Sequence, residues 1–204
     1  MPGRHQHLLN VDSTAVLVVD VQEKFRPHIA GMDDIIASIC LLLRGCQELG
    51  VPIAVSEQYP KGLGATVAEI AEVLDASTHG VSRMEKLEIS SCAASSWGSL
   101  DPEFLQRPSM LVVGIEAHVC VHQTVHDALA GGTQVHVVAD AVGSRDPWQR
   151  DMALARMREA GALVTSVEMA LFELLACAGT PQFTAVQRLI KDHDARRREV
   201  GVHA

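Results

Sequence analysis

Short apolar runs alternate with longer segments of helical periodicity, and this alternation limits the fold more than any other feature of the chain. Residues 32–49, for example, carry apolar side chains at helical spacing, and Gly50 ends that pattern. Strands that are apolar at consecutive positions are typical of a parallel sheet with helices on both faces. The segments predicted as strands are 15–20, 51–56, 81–86, 110–114, 134–139 and 163–166.

The segments between these strands complete an α/β pattern. The Gly and Pro residues of segment 59–64 predict a loop. The other predicted helices are 66–74, a short turn at 102–106, a segment from His118 or Val119 to Ala130, 147–160, 168–176 and 184–191. We therefore predict one three-layer α/β/α domain built on a parallel, Rossmann-like sheet of about six strands. Its core is expected at about residues 12–191, and a charged tail at 192–204.

Composition narrows the class of partner. The 204 residues include 17 Lys and Arg against 25 Asp and Glu, which gives a formal net charge of -8. An acidic domain repels phosphate backbones, and an aromatic content of 3% offers few surfaces on which bases could stack. We therefore expect a small-molecule substrate and no nucleic acid.

The cysteines and the first residues of the chain indicate the cellular compartment of the protein. The five cysteines are an odd number and show no C-x-x-C spacing, which favours a reducing environment over a disulfide framework. Residues 1–10 lack the apolar segment of a secretory signal, and no apolar run is long enough to span a bilayer. The sequence predicts a cytoplasmic protein that does not bind membranes, with a short mitochondrial presequence as the open alternative.

Cys120 is the strongest candidate for a nucleophile. Ligands of parallel sheets bind outside the carboxyl ends of the strands, and Cys120 follows one such end at the predicted start of a helix. Unpaired N–H groups at a helix start stabilise negative charge, which predicts a lowered thiol pKa and donors for an oxyanion. The alternative interpretation is a small buried apolar residue.

Two charged residues also follow predicted strands. Asp20 closes an apolar strand, where an ionised carboxylate needs a partner or a polar cleft, so it could act as a base or merely form a turn. Lys86 ends the third predicted strand and could pair with Asp20, or it could be an ordinary surface lysine.

Metal and cofactor motifs are weak. His118, His122 and His126 recur every four residues, which suits either a metal pair or a polar helix face. Gly62 and Gly64 lack the third glycine and the strand-to-helix setting of a dinucleotide fingerprint. We predict neither a metal nor a cofactor.

Three segments together resemble the isochorismatase-like cysteine hydrolase family. They are Leu-Val-Val-Asp-Val-Gln at 17–22, Lys86 with Ser90 following, and Gly-Ile-Glu-Ala-His-Val-Cys-Val at 114–121. Segments 57–64 and 136–145 are similar to eukaryotic isochorismatase domain-containing proteins. The resemblance implies the isochorismatase-like hydrolase fold and a catalytic triad of Asp20 as base, Lys86, and Cys120 as nucleophile.

The resemblance also implies features around the triad. A cis peptide bond is expected between Ile115 and Glu116, with the N–H groups of Glu116 and Cys120 forming an oxyanion hole. The residues expected to line the substrate pocket are Gln22, Phe25, Tyr59 and His118. Self-association into a homo-oligomer is expected because relatives commonly associate.

One departure from the family affects the substrate. Nicotinamidases in this family carry an Asp-x-His metal motif where this chain has Glu57, Gln58 and Tyr59, so neither a metal nor nicotinamide is expected. We expect hydrolysis of a C–N bond in a small amide or related carbonyl compound, through a thioester. The open alternatives are a binding or regulatory module that has lost catalysis and, less well supported by the charge, a nuclease.

Overall fold

A computed structural model describes residues 4–199, in which six strands alternate with eight α-helices. The strands are β1 (Thr14–Val19), β2 (Ile53–Gln58), β3 (Val81–Lys86), β4 (Ser109–Ile115), β5 (Gln134–Gly143) and β6 (Leu163–Thr165). The helices are α1 (Met32–Leu49), α2 (Pro60–Leu63), α3 (Ala68–Asp75), α4 (Pro102–Leu105), α5 (His122–Ala130), α6 (Pro147–Glu159), α7 (Val167–Leu175) and α8 (Pro181–Glu199).

All strand pairs of the sheet are parallel, in the order β3-β2-β1-β4-β5-β6. The predicted three-layer architecture with six parallel strands is therefore confirmed. Strands β2 and β3 extend the sheet from one side of β1, and β4, β5 and β6 extend it from the other side. The point between β1 and β4 is thus the topological switch point, where ligands of open α/β sheets bind.

The hydrophobic core has two parts, one on each face of the sheet. Because side chains alternate along a strand, Val16 and Val18 of β1 contact the layer of α1, α3, α7 and α8, whereas Leu17 and Val19 contact the layer of α4, α5 and α6. Burial on both faces explains why the central strands are apolar at every position.

Several predicted boundaries were wrong. Segment 59–64 is not only a loop: Pro60, at the first position of α2, has the backbone angle that a helix start needs. The second predicted helix begins at Ala68 rather than Thr66. Strand β5 continues to Gly143 instead of ending at Ala139, since the polar Asp140 finds a partner by accepting a hydrogen bond from the Val167 N–H at 2.9 Å.

The carboxyl-terminal part also differs from the prediction. Helix α8 begins at Pro181 and extends to Glu199, so residues 192–199 of the predicted tail are helical, and 200–204 lie outside the described residues. Cys177 is exposed beyond the end of α7. None of the helices in the described part of the chain combines the length and the apolar character that a bilayer crossing requires.

Candidate active site

Asp20 is the first residue after β1 and lies at the switch point. Its φ of +53° is left-handed, a conformation that Asp and Asn adopt more readily than most residues. The backbone N–H of Asp20 donates to Ser56 O at 3.1 Å, and only 1% of the residue is exposed. The sharp turn after β1 thus directs a carboxylate into a polar site instead of continuing the strand.

Lys86 ends β3 and reaches this carboxylate across β2. Its Nζ lies 2.7 Å from Oδ2 of Asp20 and 2.6 Å from Oε1 of Gln58, and the carbonyl oxygens of Glu88 and Ile89 lie within 3.2 Å. Four acceptors surround an ammonium that has three N–H donors. Lys86 therefore has no donor left over for a substrate in this arrangement.

Buried hydroxyl groups hold the other carboxylate oxygen. Ser56 donates from Oγ to Oδ1 of Asp20 at 2.7 Å, and Ser91 Oγ donates to Ser56 Oγ at 3.2 Å. The Ser91 N–H donates to Oγ1 of Thr124 at 2.9 Å, and Thr124 lies on α5, four residues after Cys120. A continuous chain of contacts thus links the candidate base to the segment that carries the candidate nucleophile. The sequence analysis assigned no role to Ser56, Ser91 or Thr124.

Cys120 lies in a π-helical turn, Ala117–Val121, that leads directly into α5. Such turns are rare and are found frequently at functional sites. The pKa of the Cys120 thiol is raised to about 12, mainly by burial and next by the charge of Asp20, while the charge of Lys86 opposes the increase. The predicted lowering of the thiol pKa was wrong, because desolvation and a neighbouring carboxylate outweigh the N–H groups of the turn.

The loop between β4 and Cys120 is packed closely against β1. The peptide bond between Ile115 and Glu116 is cis. Gly114 has φ +118°, and a Cβ atom there would overlap the backbone of Val19. Only glycine fits both the conformation and the space, so Gly114 fixes how closely this loop approaches Asp20.

The Glu116 side chain is buried and held by a single partner. Arg145 donates to its two oxygens from Nε at 3.0 Å and Nη2 at 2.6 Å, and the Arg145 N–H donates as well, at 3.0 Å. Burial by itself raises the pKa of Glu116, but these hydrogen bonds and the charge of Arg145 lower it more, so the net pKa is below the usual value. The pair anchors the candidate oxyanion loop to the segment that follows β5.

The four residues predicted to line a pocket have different surroundings. Gln22 is fully buried, and its side-chain amide is occupied by the backbone of Gln58 and Gly64. Phe25 is half-buried beside a surface groove, and Tyr59 is 51% exposed. His118 is half-buried with Nδ1 3.0 Å from Ser144 Oγ. Gln22 therefore connects two backbone segments through hydrogen bonds, and the side chains of the other three residues remain accessible to solvent.

The histidine series stays on one side of the turn and α5. The rings of His122 and His126 lie 4.1 Å apart, and Nδ1 of His126 is 2.8 Å from His122 O. Across residues 4–199, no cluster of three or more His, Cys, Asp or Glu side chains is suited to hold a metal ion.

A doubly wound parallel sheet with a buried carboxylate, ammonium and thiol at its switch point defines an α/β protein of the class whose sites lie outside the carboxyl ends of the strands. The isochorismatase domain model matches residues 14–169, and the chain belongs to this family. The resemblance noted in the sequence is thereby confirmed.

Three relatives show how far the similarity extends. The secreted isochorismatase effector Isc1 of Phytophthora sojae is 40% identical, over 89% of this chain and 86% of its own. Human isochorismatase domain-containing protein 2 is 39% identical over 88% and 84%. The structure of a Caenorhabditis elegans protein described as MAR1 ribonuclease is 37% identical with a TM-score of 0.82, over 90% and 92%.

Proposed function

We propose that this protein is a cysteine-nucleophile hydrolase that cleaves a C–N bond in a small amide or related carbonyl compound. The observation that carries the proposal is the buried Asp20 and Lys86 pair beside a thiol whose pKa depends on both. A carboxylate next to a protonated thiol is an acceptor placed for one proton transfer.

The proposed reaction begins with the neutral thiol. Asp20 accepts the proton of Cys120 while sulfur forms a bond to the carbonyl carbon. The negative charge that develops on the carbonyl oxygen is held by the backbone N–H groups of Glu116 and Cys120, and loss of one such donor commonly costs about a hundredfold or more in rate. A raised thiol pKa fits this order of events, because the proton leaves as attack occurs rather than beforehand.

The remaining steps return every group to its starting state. The C–N bond breaks as protonated Asp20 gives its proton to the leaving nitrogen, which departs as an amine or ammonia and leaves a thioester. A water molecule then attacks this carbonyl carbon while Asp20 accepts one of its protons. The C–S bond breaks, the sulfur regains the proton from Asp20, and the carboxylic acid product leaves.

The proposal is tested with a panel of small amides, ureas and carbamoyl compounds. We expect Cys120→Ala and Cys120→Ser to abolish any turnover found for the wild type. Cys92→Ala is the matched control, because Cys92 is a half-buried thiol with a pKa also raised to about 12, but it donates to Thr124 O, and the carboxylate that acts on it is that of Asp127 rather than Asp20. Equal turnover in the Cys120 and Cys92 variants would exclude a cysteine nucleophile at 120.

Two other functions are alternatives to this proposal, and each predicts a different experimental result. A binding or regulatory module that keeps the fold would bind ligands and turn over none of the panel. The name of the C. elegans relative raises RNA as a substrate. Fluorescent RNA of mixed sequence, assayed over a salt series with wild type and Cys120→Ser, distinguishes cleavage from the weak salt-dependent binding expected of an acidic protein.

Self-association and a cytoplasmic location remain predictions. Two helices present exposed apolar pairs that an interface could cover, Trp148 with Met152 on α6 and Met169 with Phe172 on α7. Light scattering after size-exclusion chromatography would show whether the mass exceeds the 22.0 kDa of one chain.

A further inference from the structure

A groove of about 620 Å³ opens on the carboxyl edge of the sheet, in the size range of small-molecule sites. Its walls combine apolar and basic side chains. The apolar and basic residues that line the groove are Lys24, Phe25, Pro27, His28, Leu63 and Arg145.

Topology places this groove beside the candidate active site. Residues 23–28 follow β1 and Arg145 follows β5, and β4 lies between these two strands. The two segments meet where the Ala30 N–H donates to Ser144 O at 3.2 Å. The groove therefore lies over the end of β4, next to the loop that carries Glu116 and Cys120.

Arg145 offers unused donors to this groove. Its Nε and one N–H of Nη2 are occupied by Glu116, whereas Nη1 donates to no residue in the described part of the chain. The Arg145 side chain is 64% exposed, while that of Glu116 is 4% exposed. A guanidinium fixed on one edge and open on the other is arranged to bind a second planar anion.

The other charges of the groove favour an anion as well. Lys24 is exposed and has no ion-pair partner within residues 4–199. Glu23 is the one acidic residue of the lining, and its oxygens are directed away, to Arg26 at 3.5 Å and to the Ala68 N–H at 3.2 Å.

We infer that this groove binds the carboxylate end of the substrate, so that the substrate class is small amides that carry a carboxylate on a short apolar body. Arg145 and Lys24 hold the carboxylate, and Phe25, Pro27 and Leu63 contact the hydrocarbon part. The inference rests on the proposed function, because it assigns the distal end of the same substrate whose carbonyl meets Cys120.

The test compares succinamate with butyramide, two amides of equal length that end in a carboxylate or a methyl group. Charge-assisted hydrogen bonds contribute about 1.5–3 kcal/mol, so we expect kcat/KM to favour succinamate by about ten- to a hundredfold. Lys24→Gln removes one cation without touching Glu116, and Arg145→Lys keeps the pair with Glu116 but loses the guanidinium fork. Both variants should reduce the preference, whereas Lys191→Gln, an exposed charge on α8, should leave it unchanged.

A second readout does not depend on turnover. In a Cys177→Ser background, we expect succinamate to slow the alkylation of Cys120 by iodoacetamide more than butyramide does, and Lys24→Gln to remove the difference. Equal kcat/KM values and equal protection by the two amides would overturn the inference, as would a preference that survives both groove variants. Activity retained by Cys120→Ser would instead overturn the proposed function, so the two failures are distinguishable.

Discussion

Lys86 Nζ and Asp20 Oδ2 lie 2.7 Å apart, with 0% and 1% of the two side chains exposed. Burying two charges is costly, and a single charge left without its partner costs more than the pair. The two residues therefore depend on each other: Lys86 pairs with Asp20 and holds it in position, and Asp20 is the group that can accept the proton of Cys120.

The first prediction separates stability from catalysis at this pair. Lys86→Met should lower the free energy of unfolding by about 3–5 kcal/mol, because it leaves a buried carboxylate unpaired. Asp20→Asn combined with Lys86→Met should recover much of that loss and remain without activity. Urea unfolding of both single variants and the double variant gives the coupling free energy. Strictly additive losses would show that the two residues do not act as a pair.

The second prediction concerns the pH dependence of Cys120. The pKa of its thiol is raised to about 12, so the rate of Cys120 alkylation should rise about tenfold per pH unit and show no plateau up to pH 10. The rate is measured in a Cys177→Ser background, because Cys177 is an exposed thiol. The folded state holds this proton more tightly than the unfolded chain does, whose thiol pKa is about 8.5. The stability from this group is thus complete below about pH 8.5 and is lost as pH rises toward 12.

The Asp20→Asn variant provides the contrast for this measurement. Removing the carboxylate removes a charge that raises the pKa of Cys120, so alkylation at pH 8 should become faster while amide turnover falls. Asn is the suitable replacement because it tolerates the left-handed backbone at this position. A plateau of alkylation near pH 8 in the parent protein would contradict the buried, carboxylate-coupled thiol.

The third prediction assigns Ser56 a positioning role. Ser56→Ala removes the hydrogen bond to Oδ1 of Asp20 and should lower kcat by about tenfold with little change in KM, a size expected for one hydrogen bond to a charged group. Ser91→Ala acts one contact further away and should have a smaller effect. Steady-state kinetics on the best amide measures both values.

Thr14→Val is the matched control for Ser56. The Thr14 hydroxyl is equally buried, has no partner among the described residues, and lies at the opposite end of β1. Its removal should leave kcat unchanged. A similar loss of kcat in both variants would indicate a general effect of removing buried hydroxyl groups.

The fourth prediction tests the close approach of β4 and β1. Gly114→Ala places a Cβ atom against the backbone of Val19 and should yield little folded protein. Gly132→Ala is the control, since Gly132 also has a positive φ, of +84°, but its Cβ would meet no atom within 4 Å. That variant should lose only about 1 kcal/mol, by thermal unfolding. Comparable yields from the two variants would argue against the packing described for Gly114.

Position in the sequence placed Asp20, Lys86 and Cys120 after three predicted strands, and the carboxyl ends of parallel strands share one edge of a sheet. That the three residues act together as a triad was implied by the family resemblance and stays a prediction. The sequence could not predict Ser56 and Ser91, because a buried serine that positions a carboxylate has the same local pattern as a serine in a strand end or turn. The pKa of Cys120 was misjudged for a related reason. The dipole of a helical turn can be inferred from local sequence, whereas desolvation depends on residues from distant segments.

The position of β1 in the sheet has a consequence for how the chain folds as it is synthesised. Strands β1, β2 and β3 are complete at Lys86, but the partner for the other edge of β1 is β4, which begins only at Ser109. Until then the nascent chain presents an open apolar edge, which invites pairing with other chains. Insertion of β4 covers that edge, and the same event carries the sulfur of Cys120 to the carboxylate of Asp20.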